Sequence, residues 1–129
     1  FGSSVDLLKE MKRKGIKLAA ASSSKNAVLI LKKINLFAMF DANVSGADFK
    51  KGKPDPEIFL TAAAKIGLSP EECVVFEDAK SGVQAAVNGG FYGVGINRHD
   101  NLKALKGANV VVNDLSEISL KEILRLGEI

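Results

Sequence analysis

Hydrophobic positions along this 129-residue chain follow two alternating patterns, helical spacing and short continuous apolar runs. Helical spacing predicts helices over Ser4–Lys14, Asn26–Ile34, Glu57–Ile66, Ser81–Val87, Asn101–Lys106 and Leu120–Leu126. The apolar runs predict strands over Ile16–Ala21, Ala42–Ser45, Cys73–Phe76, Phe91–Ile96 and Val110–Val112. Continuous apolar strands between helices are typical of a parallel sheet covered on both faces. We therefore expect one α/β domain over residues 1–129, a Rossmann-like three-layer α/β/α fold with a mostly parallel sheet.

Composition narrows the class of protein and its partners. Hydrophobic residues make up 47% and charged residues 26%, as in ordinary globular domains. The net charge of +3 is small and the lysines are scattered, so we expect no nucleic-acid partner. The apolar runs are far shorter than the ~18 residues that span a membrane, so no membrane partner is expected. Cys73 is the only cysteine, which suits a reducing, cytoplasmic location.

Polar residues follow the predicted strands, where open parallel sheets bind their ligands. Ser22-Ser23-Ser24-Lys25-Asn26 comes directly after the first strand and just before a predicted helix. Hydroxyl groups and the first N–H groups of a helix make a site for an anion such as phosphate. The same residue types also cap helices, so a purely structural role stays open.

A lysine between rigid residues follows the second strand, in Gly52-Lys53-Pro54-Asp55-Pro56. The prolines restrict the backbone and so fix the direction of Lys53. A positioned ammonium group can neutralise a phosphate or a nucleophilic carboxylate. The alternative interpretation is an ordinary loop lysine in solvent.

Two adjacent carboxylates, Glu77 and Asp78, end the third strand. Their mutual repulsion would be relieved by a hard cation such as Mg²⁺, which binds carboxylates, water and phosphate. Asp78 could instead cap the next helix, an interpretation that leaves Glu77 unexplained. Gly82, shortly after this pair, predicts a point where the backbone approaches a ligand closely.

Each of these three features, the hydroxyl cluster, the lysine and the acid pair, follows a predicted strand. In this order they resemble motifs two, three and four of the haloacid dehalogenase superfamily. The matching segments are Ala20–Ser24, Gly52–Phe59 and Val74–Ala86. The run from Ser22 to Asn26 is similar to the β-phosphoglucomutase branch in particular. The resemblance covers nearly the whole chain.

This resemblance implies phosphoryl transfer through an aspartyl-phosphate with Mg²⁺, acting on a phosphorylated small molecule. Ser22 would hold the transferring phosphoryl group, and Lys53 would bridge the phosphate and the nucleophilic carboxylate. Asp78 would bind Mg²⁺, with Glu77 binding it directly or through water. Substrate binding would fall to Ser23, Ser24, Lys25 and Asn26.

The first motif of the superfamily, an Asp-x-Asp that supplies the nucleophile, has no match here. No two of the seven aspartates stand two positions apart. The helical cap that selects the substrate in this superfamily also has no match. We therefore expect the C-terminal part of a larger enzyme, a phosphatase or a hexose-phosphate mutase, inactive by itself.

The strand that carries the first motif lies in the centre of the sheet in this superfamily. Its absence would leave two strand edges unpaired, and such edges recruit partners. We expect either direct pairing of Ile16–Ala21 with Cys73–Phe76, or filling of the gap by a missing N-terminal segment or another chain.

A second hypothesis is a non-catalytic, doubly wound regulatory or interaction module. It explains the missing nucleophile directly, but it leaves the ordered set of Ser22, Lys53, Glu77 and Asp78 as a coincidence.

Overall fold

The computed structural model of the chain describes residues 2–22, 40–97 and 102–125. Four α-helices and five strands lie in these ranges: α1 (Gly2–Arg13), β1 (Ala19–Ala21), β2 (Ala42–Val44), α2 (Glu57–Lys65), β3 (Val74–Glu77), α3 (Lys80–Gly89), β4 (Tyr92–Ile96), β5 (Val110–Val112) and α4 (Leu120–Arg125). Short 3₁₀ turns cover Pro70–Glu72, Leu102–Leu105 and Leu115–Glu117. The predicted order of helices and strands is confirmed in these ranges, and the helix predicted over Asn26–Ile34 lies outside them.

Two sequence predictions differ from the structure in detail. The first strand covers only the last three residues of the predicted run, and just before it the Leu18 N–H donates to the Asp41 carboxylate rather than to a backbone carbonyl. The helix predicted over Asn101–Lys106 is a single 3₁₀ turn at Leu102–Leu105.

The strands form two parallel sheets within the described part of the chain. β1 pairs with β2, with Ala20 opposite Asn43. β3 pairs with β4, and β4 pairs with β5. No hydrogen-bonded pairing joins β1 to β3, so the first of our two alternatives, direct pairing of these strands, is wrong for these residues.

Helices cover both faces of the strands, so the predicted three layers are present. One core cluster lies between α1, α4 and the strands and includes Met11, Leu18, Val94, Val112 and Ile123. The other lies between α2, α3 and the strands and includes Val44, Ile58, Phe59, Ala85 and Phe91. Alternation along β3 sends Val74 and Phe76 to the first cluster and Val75 to the second. Because the two core clusters occupy the faces of the sheets, the carboxyl ends of the strands are the positions that remain for polar residues.

Candidate functional site

An ion pair between Lys53 and Glu77 forms the centre of the polar edge. Lys53 Nζ donates to Glu77 Oε2 at 2.9 Å, and the two side chains are only 19% and 13% exposed. The ammonium also lies 5.4 Å from the centre of the Phe59 ring. An apolar wall on one side and a carboxylate on the other restrict the lysine to one position.

The second oxygen of Glu77 is also occupied. Oε1 accepts hydrogen bonds from the backbone N–H groups of Asp78 at 3.1 Å and Ala79 at 3.3 Å. These bonds turn the carboxylate back over the start of α3, where a Cβ on Gly82 would collide with it. Gly82 therefore makes room for Glu77, and our expectation that its backbone approaches a ligand stays a prediction.

The loop that carries Lys53 is held by its own hydrogen bonds. The Glu57 carboxylate accepts from the backbone N–H groups of Lys50 and Lys51, and Asp55 Oδ1 accepts from the N–H of Glu57 at 3.0 Å. From α3, Asn88 Nδ2 donates to the carbonyl of Pro54 at 3.1 Å. The loop is thus tied both to its own helix and to the neighbouring one.

The other predicted site residues are placed in part. Ser22 follows β1, and its N–H donates to the carbonyl of Val44 at 2.9 Å, so its position is fixed by the β1–β2 pairing. Asp78 follows Glu77 at the end of β3. The predicted substrate-binding residues Ser23, Ser24, Lys25 and Asn26 lie outside the described residues.

The acid pair offers a partial set of ligands for a divalent cation. Among residues 2–22, 40–97 and 102–125, no three His, Cys, Asp or Glu side chains cluster closely enough to hold a metal ion. Mg²⁺ is commonly bound by one or two carboxylates together with water and phosphate. Asp78 and Glu77 fit that smaller set, although Glu77 is already engaged by Lys53 and two N–H groups.

Sequence reasoning missed the residues that position Lys53 and Glu77. No motif in the sequence marks these residues, which are Phe59, Glu57 and Asn88. Their positions also fit ordinary residues of the two helices that contain them. Gly82 did give a signal, because a glycine in the first turn of a helix costs stability unless something needs the space.

The chain matches a family model described as haloacid dehalogenase-like hydrolase over residues 1–90. It is 40% identical over 115 residues to the β-phosphoglucomutase of Bacillus subtilis (strain 168). The aligned region covers 89% of this chain and 50% of the relative. It is also 40% identical over 126 residues to a phosphorylated carbohydrates phosphatase of Thermotoga maritima, covering 92% of this chain and 58% of the relative.

A solved β-phosphoglucomutase from Clostridium difficile superposes with a TM-score of 0.89 at 31% identity, covering 98% of this chain and 55% of that one. The chain therefore spans about half the length of the relatives it matches. The family model covers well over half of the sequence, and the matched region contains the hydroxyl cluster, Lys53 and the acid pair. The chain belongs to the haloacid dehalogenase-like hydrolase family.

Proposed function

We propose that this chain forms the phosphate-holding part of a phosphoryl-transfer site that acts on a phosphorylated carbohydrate. The observation that carries the proposal is the Lys53 ammonium, held 2.9 Å from the Glu77 carboxylate beside Asp78. Relatives named for phosphorylated sugars, a mutase and a phosphatase, support this class of substrate.

Three side chains share the work in this proposal. The Ser22 hydroxyl donates to an oxygen of the transferring phosphoryl group, and the Lys53 ammonium offsets its negative charge. Asp78, with Glu77, holds Mg²⁺, which supplies further positive charge at the phosphoryl oxygens when bound. Glu77 also keeps Lys53 in place, which is the role its observed hydrogen bonds favour.

The nucleophile in this proposal comes from polypeptide outside the 129 residues. A carboxylate oxygen forms a bond to phosphorus while the bond from phosphorus to the sugar oxygen breaks, and that oxygen takes up a proton from a general acid on the same outside polypeptide. Whether water or a second sugar hydroxyl then receives the phosphoryl group decides between a phosphatase and a mutase.

The proposal also includes a reducing, cytoplasmic compartment, which the single cysteine favours. Within the described ranges, no helix combines the length and apolar character required to cross a bilayer.

Calorimetric titration with inorganic phosphate, with and without Mg²⁺, tests the proposal. We expect phosphate binding that depends on Mg²⁺ and weakens about tenfold or more in Asp78→Asn and in Lys53→Ala. Asp6→Asn and Lys106→Ala are the matched controls, because they remove the same charges from exposed positions on α1 and after the Leu102–Leu105 turn. Equal phosphate affinity in all five proteins would exclude the proposed site.

A further inference from the structure

Lys53 is restrained both at its ammonium group and through its main chain. The ammonium donates to Glu77 Oε2 at 2.9 Å. The main-chain restraint acts one residue later, where the carbonyl of Pro54 accepts from Asn88 Nδ2 at 3.1 Å. Asn88 is an exposed residue in the last turn of α3. It therefore restrains the lysine without using any of the charge of the ammonium group.

The side-chain amide of Asn88 has only one orientation that fits its neighbours. The carbonyl of Pro54 can only accept, so the atom of Asn88 that faces it must be the NH₂ nitrogen. The oxygen on the other side, Asn88 Oδ1, accepts from Gln84 Nε2 at 3.0 Å. Because Gln84 lies one turn earlier on the same helix, it holds the Asn88 donor toward the loop.

A closed turn carries this restraint to Lys53. The N–H of Asp55 donates to the carbonyl of Gly52 at 3.0 Å, so Lys53 and Pro54 are the two central residues of a hydrogen-bonded turn. The ring of Pro54 restricts the backbone of this turn further. Fixing the carbonyl of Pro54 therefore fixes the backbone from which the Lys53 side chain extends.

The end of α3 also packs closely against the same loop. A Cβ on Gly89 would lie only 3.0 Å from Cβ of Pro56 and 2.8 Å from the ring of Phe91. The Phe91 ring meets the Phe59 ring edge-on, with 6.0 Å between the ring centres. Since the Lys53 ammonium lies beside the Phe59 ring, the end of α3 supports the lysine from two directions.

The proposed function makes two demands on Glu77, which is to hold Mg²⁺ with Asp78 and to keep Lys53 in place. A carboxylate that shares its oxygens with a divalent cation attracts an ammonium group less strongly. A second restraint on Lys53 is then needed, and it must leave the ammonium free for phosphate. The contact between Asn88 and the Pro54 carbonyl has this property.

We infer that Asn88, oriented by Gln84, is a positioning residue that keeps the Lys53 ammonium directed at the phosphate when Glu77 is engaged by Mg²⁺. The inference rests on the proposed function for the task of Lys53, whereas the restraint itself belongs to the ligand-free chain. Asn88 and Gln84 are both exposed, so their substitution should cost little stability. A positioning role can therefore be separated from a structural one.

Hydrogen exchange of the Lys53 ammonium, followed by NMR without phosphate or Mg²⁺, tests the restraint. Asn88→Leu keeps the size of the side chain and removes the donor without adding charge. We expect exchange at Lys53 to become about three- to tenfold faster, as for the loss of one hydrogen bond. Asn109→Leu is the matched control, because Asn109 is an exposed asparagine that accepts from the N–H of Gly93 at 2.8 Å, and it should leave the Lys53 signal unchanged.

Phosphate titration at saturating Mg²⁺ then tests the purpose of the restraint. Asn88→Leu should weaken phosphate binding about three- to tenfold, and it should have no further effect in a Lys53→Ala background. If the wild-type chain binds no phosphate, the proposed function fails, and the exchange measurement still decides the inference. Unchanged Lys53 exchange in Asn88→Leu, equal acceleration in Asn109→Leu, or a further loss of phosphate affinity in the Lys53→Ala background would overturn it.

Discussion

Glu77 has three hydrogen-bond donors around a carboxylate that is 13% exposed. One is the Lys53 ammonium, and the others are consecutive backbone N–H groups at the start of α3. A partly buried carboxylate needs such partners, because its lost hydration must be replaced. The residue therefore links the end of β3, the Lys53 loop and α3 at one point.

Gly82→Ala tests how strictly this arrangement requires an empty space. On helix propensity alone, alanine would stabilise α3 by about 1 kcal/mol. We expect destabilisation by roughly 1–3 kcal/mol in urea unfolding, because the new Cβ overlaps the carboxylate of Glu77 and moves it away from Lys53.

The control for Gly82→Ala is the same change in a Glu77→Ala background. There the Cβ finds space, and the substitution should be neutral or stabilising. Ser81→Ala, an exposed change in the same turn, should alter stability by less than about 0.5 kcal/mol. Destabilisation of equal size in both backgrounds would show that the glycine serves something other than Glu77.

Asp41 joins three elements at the amino ends of the first two strands. Its Oδ1 accepts from Lys12 Nζ of α1 at 2.8 Å, and its Oδ2 accepts from the Leu18 N–H before β1 at 2.7 Å. The hydrogen bond from Lys12, followed by the one from Leu18, lowers the pKa of the Asp41 carboxyl below its ordinary value. The aspartate thus favours the folded state in its charged form.

The pH dependence of this contact has a definite sign. Because the folded-state pKa is lowered, the stabilisation is present at pH values above the ordinary aspartate pKa of about 3.9 and is lost as the pH falls through the lower, folded-state pKa. Asp41→Asn should therefore lower the Tm at pH 7, and the difference from wild type should shrink at acidic pH. A Tm difference that stays constant from pH 7 to pH 3 would contradict this origin, and Asp6→Asn is the control.

Helices and strands could be predicted from the sequence because their signals are local. The Val110–Val112 strand and the helix from Glu57 have sharp boundaries, set by apolar runs and by the Pro56 start. The separation into two sheets depends on which strands are neighbours, and hydrophobic spacing does not contain that information. It was anticipated only through the absent Asp-x-Asp and the superfamily in which that motif lies on a central strand.

As with the fold, the residues of the candidate site could be predicted from the sequence, but their contacts with one another could not. Lys53 was identified because Gly52 and two prolines flank it, and Glu77 and Asp78 because two adjacent carboxylates end a buried strand. The pairing of Lys53 with Glu77 rather than with a ligand could not be predicted, since it depends on a carboxylate folding back over Gly82. Side-chain direction at a helix start is a tertiary property.

At the scale of the whole molecule, the proposed function gives the chain the cationic side of a phosphoryl-transfer site and leaves the nucleophile to polypeptide outside the 129 residues. We expect the purified chain with Mg²⁺ to hydrolyse p-nitrophenyl phosphate and glucose 1-phosphate no faster than buffer does. Phosphate release is the measurement, with Asp78→Asn as the control for a contaminating phosphatase. Turnover that depends on Mg²⁺ and is lost in Asp78→Asn would show that the chain has a nucleophile of its own.

The claim on which all of this depends is that three separate loops, at Ser22, Lys53 and Asp78, meet at one phosphate ion. The most direct measurement is a titration of the labelled chain with inorganic phosphate at saturating Mg²⁺, followed by NMR at the Ser22 and Asp78 backbone N–H groups and the Lys53 ammonium. We predict that all three signals shift with one common Kd, and that omitting Mg²⁺ weakens that binding. Signals that shift with different Kd values, or a Ser22 signal that stays fixed while Lys53 responds, would contradict a shared site.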